Sequence, residues 1–347
     1  MWKYIIRRLM LIIPTVFLSG TLVFFMLRVL PGDIVSTLTS EGGATPETKA
    51  KLREELGLNN PIIVQYAHWL CGNCVILRGI GYPPPDLGRG EGEVGSSADA
   101  TIGGVISGDF GYSNYQDRYV GQIVKDKMEA TVTLAILAMI FSLLLAFPLG
   151  ILSAITRGSW WDQSIRIFTA LSLAVPSFWL GILLIIFASR VFNWSPPLNY
   201  TPFFTDPGRN LAQLFLPVIA TGLTSAAVLS RLVRSMMLEV LREDYVRTAR
   251  AKGLREFIVV ARHTVRNASI PVLTMAGYHF GFIISGVVVI EFVFSIPGLG
   301  QQVLFSILAR DYDMVVGIVV ILTIILAAWI LVVDLFYSVV DPRIRYS

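Results

Sequence analysis

Residues 131–156 read TVTLAILAMIFSLLLAFPLGILSAIT, twenty-six positions without an ionisable side chain. An α-helix rises 1.5 Å per residue, so roughly 20 apolar residues cross the ~30 Å hydrocarbon core of a bilayer. The stretch shows no alternation of period two, which excludes a strand of an outer-membrane barrel. In lipid the backbone must satisfy its own hydrogen bonds, and a helix is the remaining way to do so. Comparable runs lie at about 9–29, 165–190, 211–233, 271–295 and 314–337. The chain has 347 residues, 54% of them hydrophobic and 15% charged, where a soluble domain carries about 25% charged residues. The expected fold is therefore an all-α polytopic membrane protein with six transmembrane helices.

Charge sets the orientation. Lys and Arg near span ends accumulate on the cytoplasmic side. Nine of them fall between Arg231 and Arg266, in the connection between the fourth and fifth spans. Lys3, Arg7, Arg8, Arg157, Arg166, Arg343 and Arg345 share that side when the N-terminus is inside. The expected localisation is the plasma (inner) membrane of a prokaryote, with both termini cytoplasmic. The net charge of +4 then reflects topology and gives no reason to expect nucleic acid. The first apolar run is followed by Arg28-Val-Leu-Pro-Gly-Asp33 and not by a small-x-small cleavage site, so it is expected to stay as a helix.

The expected organisation has four parts. Residues 1–30 form transmembrane helix 1. Residues 31–128 form an extracytoplasmic cap, opening on the turn Pro31-Gly32-Asp33 and carrying short helices at Pro46–Leu56, stopped by Gly57, and at Pro61–Leu70. Residues 129–340 form the core, with a kink at Pro176 and close packing at Gly277, Gly281 and Gly286. Residues 341–347 are a cytoplasmic tail. The two cysteines, Cys71 and Cys74, lie in the cap. On the outer face a disulfide is allowed; free thiols and a minor redox role are the open alternatives. Two thiols alone cannot complete a zinc site, and no metal site is expected.

The long basic connection has its own pattern. Asp244–Lys252 is rich in helix formers, Gly253 interrupts it, and Phe257–Ala268 resumes a helical period. Phe257, Val260, Ala261, Thr264 and Val265 fall on one face. This predicts two short helices joined by a glycine turn. Two uses remain open from the residues alone: a tip that inserts into a groove on a partner protein, or an interfacial helix resting on anionic lipid.

Asp244-Tyr-Val-Arg-Thr-Ala-Arg-Ala-Lys-Gly253, followed by His263, Arg266-Asn-Ala268 and Pro271, resembles the coupling loop of binding-protein-dependent ABC importer permeases. The likeness is to the B-type subunit of the dipeptide, oligopeptide and nickel branch. It extends over nearly the whole chain, through Leu30-Pro-Gly-Asp33, Glu55-Leu-Gly-Leu-Asn59, Gly108-Asp-Phe-Gly-Tyr-Ser113, Pro176-Ser-Phe-Trp179, Arg231 with Arg234-Ser-Met236, and Glu291-Phe-Val-Phe-Ser-Ile-Pro-Gly-Leu-Gly300. Two departures stand out. Arg247-Thr248-Ala249 replaces the Glu-Ala-Ala that opens the general permease signature. Leu70 and Gly108 are separated by 37 positions, an insertion (71–107) without family precedent that includes both cysteines and Pro83–Pro85.

The resemblance implies that the loop (237–270) docks on an ATPase through Asp244, Tyr245, Arg247, Thr248, Ala249, Ala251, Lys252, Gly253, Phe257, His263, Arg266 and Asn267. It implies a second, C-type permease, two ATPase subunits that bind ATP and Mg, and an extracytoplasmic solute-binding protein. The expected function is import of short peptides by alternating access; nickel or another small solute is the alternative within the family. Candidate residues of the translocation path are Pro176, His279, Glu291 and Phe294. For Glu291 contact with headgroup water is the competing reading, and for His279 a packed, hydrogen-bonded ring.

No phosphate loop of the form G-x-x-x-x-G-K-[ST] occurs, nor a Ser/His/Asp or H-E-x-x-H arrangement. No cofactor is expected in the chain itself, and the energy must come from a partner. A membrane scaffold subunit or an autonomous secondary transporter are the readings from other classes. The latter should show ionisable residues mid-span and internal repeats; the former are few here and no repeat is evident.

Overall fold

The computed structural model describes residues 2–29, 34–39, 45–72, 104–197 and 199–340, with the side chains of 2–5 and 336–340 excepted. The Pro31–Asp33 turn, positions 73–103 of the insertion with Cys74 and Pro83–Pro85, and the tail 341–347 lie outside the described residues. Long helices dominate. Five are long and apolar enough to cross a membrane: Ile6–Val29, Val120–Ile155, Pro207–Val240, Glu256–Val293 and Tyr312–Leu335. Each coincides with a predicted apolar run, several with polar extensions.

The expected third span is sharply bent. It consists of two helices, Trp160–Ala174 and Ser177–Phe192, that meet at 102°. Proline disfavours helical backbone in the residue before it, and Val175 is extended, with ψ 122°. Pro176 thus breaks the helix where a kink was expected. A 15-residue helix is ~22 Å long, short of the ~30 Å core. The pair counts as a sixth span only when taken together.

In chain order the helices are α1 Trp2–Val29, α2 Ile34–Leu38, α3 Pro46–Glu55, α4 Ile62–Cys71, α5 Val120–Ile155, α6 Trp160–Ala174, α7 Ser177–Phe192, α8 Pro207–Val240, α9 Asp244–Ala251, α10 Glu256–Ile258, α11 Arg266–Val293, α12 Leu299–Leu308 and α13 Tyr312–Val340. A two-residue hairpin, β1 Tyr112–Ser113 with β2 Arg118–Tyr119, precedes α5 and pairs Tyr112 with Tyr119. The contacts divide the chain into two compact units. One comprises Met1–Ile5, Met128–Gln301 and Leu326–Ser347; the other comprises Ile6–Lys127 and Gln302–Ile325.

The first unit is built around α8, which packs against α6, α7 and α11. In membranes helix association depends on close approach and on hydrogen bonds between helices. Both occur between α5 and α8. A Cβ on Gly222 would lie 2.6 Å from the Phe141 ring, and the Ser142 hydroxyl donates to the Gly222 carbonyl at 2.9 Å. Of the glycines expected to permit close packing, Gly277 does so against Val333, Gly281 has ordinary contact with Leu326, and Gly286 faces open space.

The second unit holds α2, α3, α4 and the hairpin. Thr45 caps α3 by accepting from the Thr48 amide, and Gly57, at φ +66°, ends it as expected. Tyr66 and Trp69 of α4 pack on Phe24, which sits in a cluster with Leu27, Val315, Val316 and Val320. Arg28 lies 5.0 Å above the Phe24 ring and 4.0 Å from Asp313, so it is held by packing as well as by charge. Asp311 is buried, accepting from the Ser113 hydroxyl and the Met314 amide. Burial pushes its pKa up to about 6, although the Ser113 hydrogen bond opposes the rise. Cys71 is disulfide-bonded; Cys74, its expected partner, lies outside the described residues.

Candidate functional site: the platform between α8 and α11

After α8 the chain turns at Leu241–Glu243 and forms α9. Its buried side chains are Val246 and Ala249, one helical turn apart, and they pack on Val259 with Val240 at the edge. This apolar anchor leaves Tyr245, Arg247, Thr248, Ala251 and Lys252 on the outer face, all exposed.

The glycine turn is present. Gly253 has φ +75°, a conformation that side chains with a Cβ rarely adopt. Its amide donates to the Arg250 carbonyl at 2.9 Å and the Leu254 amide to the Ala249 carbonyl at 3.4 Å. These two bonds form the Schellman closure of a helix C-terminus. Across the turn, Arg250 grips Glu256 with two nitrogens, at 3.2 and 2.7 Å. The pairing raises the Arg250 pKa above its already high ordinary value.

The second short helix differs from expectation. Glu256–Val293 is one helix of 38 residues, so no break separates the loop from the span. Its segment Val259–Val265 is a π-helix. The wider turn moves the buried face. Val259, Thr264 and Ala268 are buried, and the Thr264 hydroxyl donates to the Val259 carbonyl five residues back at 3.2 Å. Of the five residues expected on one face, Thr264 is buried and Val260 and Val265 are half-buried, while Phe257 and Ala261 are exposed; Phe257 is 82% accessible. The apolar face calculated from a period of 3.6 fails because the backbone does not keep that period. π segments of this kind concentrate at functional sites.

Three of the expected residues meet. The Asn267 side-chain amide donates to the Tyr245 hydroxyl at 2.8 Å and to the His263 carbonyl at 3.1 Å, joining α9 to the π segment. Asp244 and Arg247 pair with each other at 3.3 Å on the exposed face. Arg266 is exposed. Leu254 and Ile258, not singled out from sequence, flank Phe257 along the chain and are also exposed, at 39% and 38%. The result is a braced surface with an apolar tip, Phe257, among basic side chains. Opposite charges six residues apart around a glycine, Arg250 and Glu256, were the available signal for the brace.

The platform rests on a firm base. Val233 and Met237 of α8 pack with Ala154 of α5 and with Ala268 and Val272 of α11. Arg234 Nε and Nη2 bind the buried Asp162 at 3.0 and 2.9 Å, and the Ser153 hydroxyl donates to the same carboxylate at 2.6 Å. This ties α8 to the start of α6.

The four candidate path residues have different surroundings. Glu291 is fully buried: its Oε2 accepts from the Gly300 and Gln301 amides at 2.8 and 3.1 Å. It thus holds the backbone donors at the start of α12. Gly298 has to be glycine, since a Cβ there would lie 2.2 Å from Glu291 Oε1. Phe294 packs its ring on Gly181 of α7. His279 is half-buried and stacks on Phe282 at 5.3 Å, and its Nε2 has no hydrogen-bond partner among the described residues. Pro176 is exposed at the break between α6 and α7.

Comparison with known proteins decides the family. Residues 146–346 match the model of the binding-protein-dependent transport system inner membrane component, and residues 1–82 match its N-terminal companion. The chain belongs to the binding-protein-dependent transport system inner membrane component family. Among curated relatives, a protein of Brucella abortus named as a peptide transport system permease is 35% identical over the full length of both chains. The dipeptide transport system permease protein DppB of Escherichia coli (strain K12) is 34% identical, again over all of both chains. Among solved structures, an inward-facing form of the MetNI methionine ABC transporter superposes with a TM-score of 0.53 at 15% identity, covering 64% of this chain and 97% of that one. At that identity the match speaks for the fold alone. Membership makes this protein a multi-pass membrane permease subunit of an ABC transporter, in which ATP is hydrolysed by separate subunits and solute arrives on a binding protein.

Proposed function

We propose that this subunit imports short peptides, and that the platform around α9 is where an ATPase docks to drive it. The observation that carries the docking assignment is Phe257: 82% exposed, at the tip of a surface braced by the Arg250–Glu256 pair, the Gly253 closure and the Tyr245–Asn267 bond. A large apolar side chain on a rigid, basic mount is the form of an interface anchor. The platform continues without a break into Glu256–Val293, so displacement of α9 is transmitted to a membrane span.

In this reading α9 and Lys252, with both chain termini, face the cytoplasm. Two ATPase subunits carry the ATP and Mg, a C-type permease supplies the other half of the path, and a binding protein delivers peptide from outside. Closure of the ATPases would move the platform and rock the spans between inward- and outward-facing arrangements. The peptide assignment is supported by the names of relatives that match end to end. The test is purification in mild detergent with the candidate ATPases and second permease, followed by reconstituted uptake of labelled di- and tripeptides. ATP-dependent, vanadate-sensitive peptide uptake is expected. Uptake of nickel without peptide would overturn the substrate, and cation-driven uptake by the lone chain would overturn the mechanism.

A further inference from the structure

A cavity of about 490 Å³ opens beside the base of the platform, lined by Gln163, Arg166, Ile167 and Ala170 of α6 and by Arg231 and Arg234 of α8. These positions recur at three and four residues, so each helix contributes one face. The three arginines are not equivalent. Arg234 is committed to Asp162 and Ser153. Arg166 and Arg231 are exposed and have no acidic partner among the described residues. The pocket therefore carries two uncompensated guanidinium groups, with the Gln163 amide as a further donor. Guanidinium is the side chain best matched to phosphate oxygens.

We propose that this pocket binds the phosphate of an anionic phospholipid. A soluble anion would need only the arginines. Here the wall is also apolar, at Ile167 and Ala170, and α6 continues outward in exposed Phe168 and Leu171. Trp160 and Trp161, 82% and 66% exposed at the start of the same helix, are the side chains that settle at headgroup depth. A lipid would place its phosphate between Arg166 and Arg231 and lay an acyl chain along α6. Because Arg234 fastens α6 to α8, such a lipid would clamp the two helices that support the platform. The assignment to the cytoplasmic leaflet rests on the orientation proposed above.

The test uses the full chain in a neutral detergent, with lipid binding read by native mass spectrometry. Phosphatidylglycerol should bind in preference to phosphatidylcholine. Arg166→Gln with Arg231→Gln should reduce the preference by about 10- to 30-fold, the effect expected for two basic groups at a lipid surface. Arg190→Gln with Arg209→Gln, which removes the same charge elsewhere, should leave it unchanged. The proposal is overturned if the first pair keeps the preference, if the second pair loses it equally, or if inorganic phosphate displaces the lipid at equal concentration, which would make the site one for a free anion. Orientation is tested separately with Ser164→Cys and a membrane-impermeant maleimide. Labelling in intact cells would overturn the leaflet without touching the lipid result.

Discussion

Gly253 offers the sharpest test of the platform. Its φ of +75° costs glycine nothing, whereas a residue with a Cβ pays about 1–2 kcal/mol to occupy the left-handed region. A Cβ there would meet no atom within 4 Å. The cost is therefore one of backbone alone, and it should not grow with side-chain size. Gly253→Ala and Gly253→Trp should weaken the closure of α9 alike, Gly253→Asn less, since asparagine tolerates this conformation. A loss of 1–2 kcal/mol multiplies local opening by about 5- to 30-fold. Hydrogen exchange of the full chain in detergent reads this directly: amides of Asp244–Ala251 should lose that factor of protection while those of α8 keep theirs. In the assembled transporter the same variants should hydrolyse ATP with reduced uptake. If Ala leaves exchange unchanged, the closure does not hold α9. If Trp is far worse than Ala, a steric contact governs the site and the backbone argument is wrong.

Phe257→Ala should leave folding intact, because the side chain touches little in this chain, and should weaken ATPase binding by about 2 kcal/mol, roughly 30-fold, in a pull-down or titration. Glu291→Ala should cost about 3 kcal/mol by leaving the Gly300 and Gln301 amides without their acceptor, seen as earlier thermal loss of the monodisperse peak. Glu291→Gln, which keeps one acceptor, should cost about half that. Asp311 gives a pH dependence with a definite sign. Its folded pKa, about 6, lies above the unfolded value of 3.8, so the folded state holds the proton more tightly. Stability falls as pH rises from about 4 to 6, by about 3 kcal/mol at most, and stays low above that. Exchange protection of residues 105–119 should drop over this range, and Asp311→Asn should remove the slope.

Several parts of this fold were legible in the residues because their signals are local. Apolar runs located the candidate crossings, since a bilayer sets their length and keeps charge sparse within them. Gly57 and Gly253 ended helices where expected, because only glycine takes a positive φ without cost. The basic residues from Arg231 to Arg266 marked the loop as a functional candidate before any contact was known.

What sequence patterns missed depends on contacts distant in the chain or on a change of backbone period. The π turn at Val259–Val265 splits the single face expected for Phe257, Val260, Ala261, Thr264 and Val265, leaving Phe257 exposed and Thr264 buried. Asp162 and Arg234, 72 positions apart, form their pair only once α6 lies against α8. The largest revision concerns Glu291. A carboxyl near the end of a span reads as a path residue or as one reaching headgroup water when its surroundings are unknown; packing places it beneath the turn before α12, where it holds two backbone amides. Sequence by itself determined that the chain crosses a membrane, where it does so and which connection is large and basic, because hydrophobicity, charge and glycine conformation act over a few residues. Tertiary structure decided which polar side chains are spent on holding helices together and which remain free for a partner, because hydrogen bonds and burial are settled between segments that the sequence keeps apart.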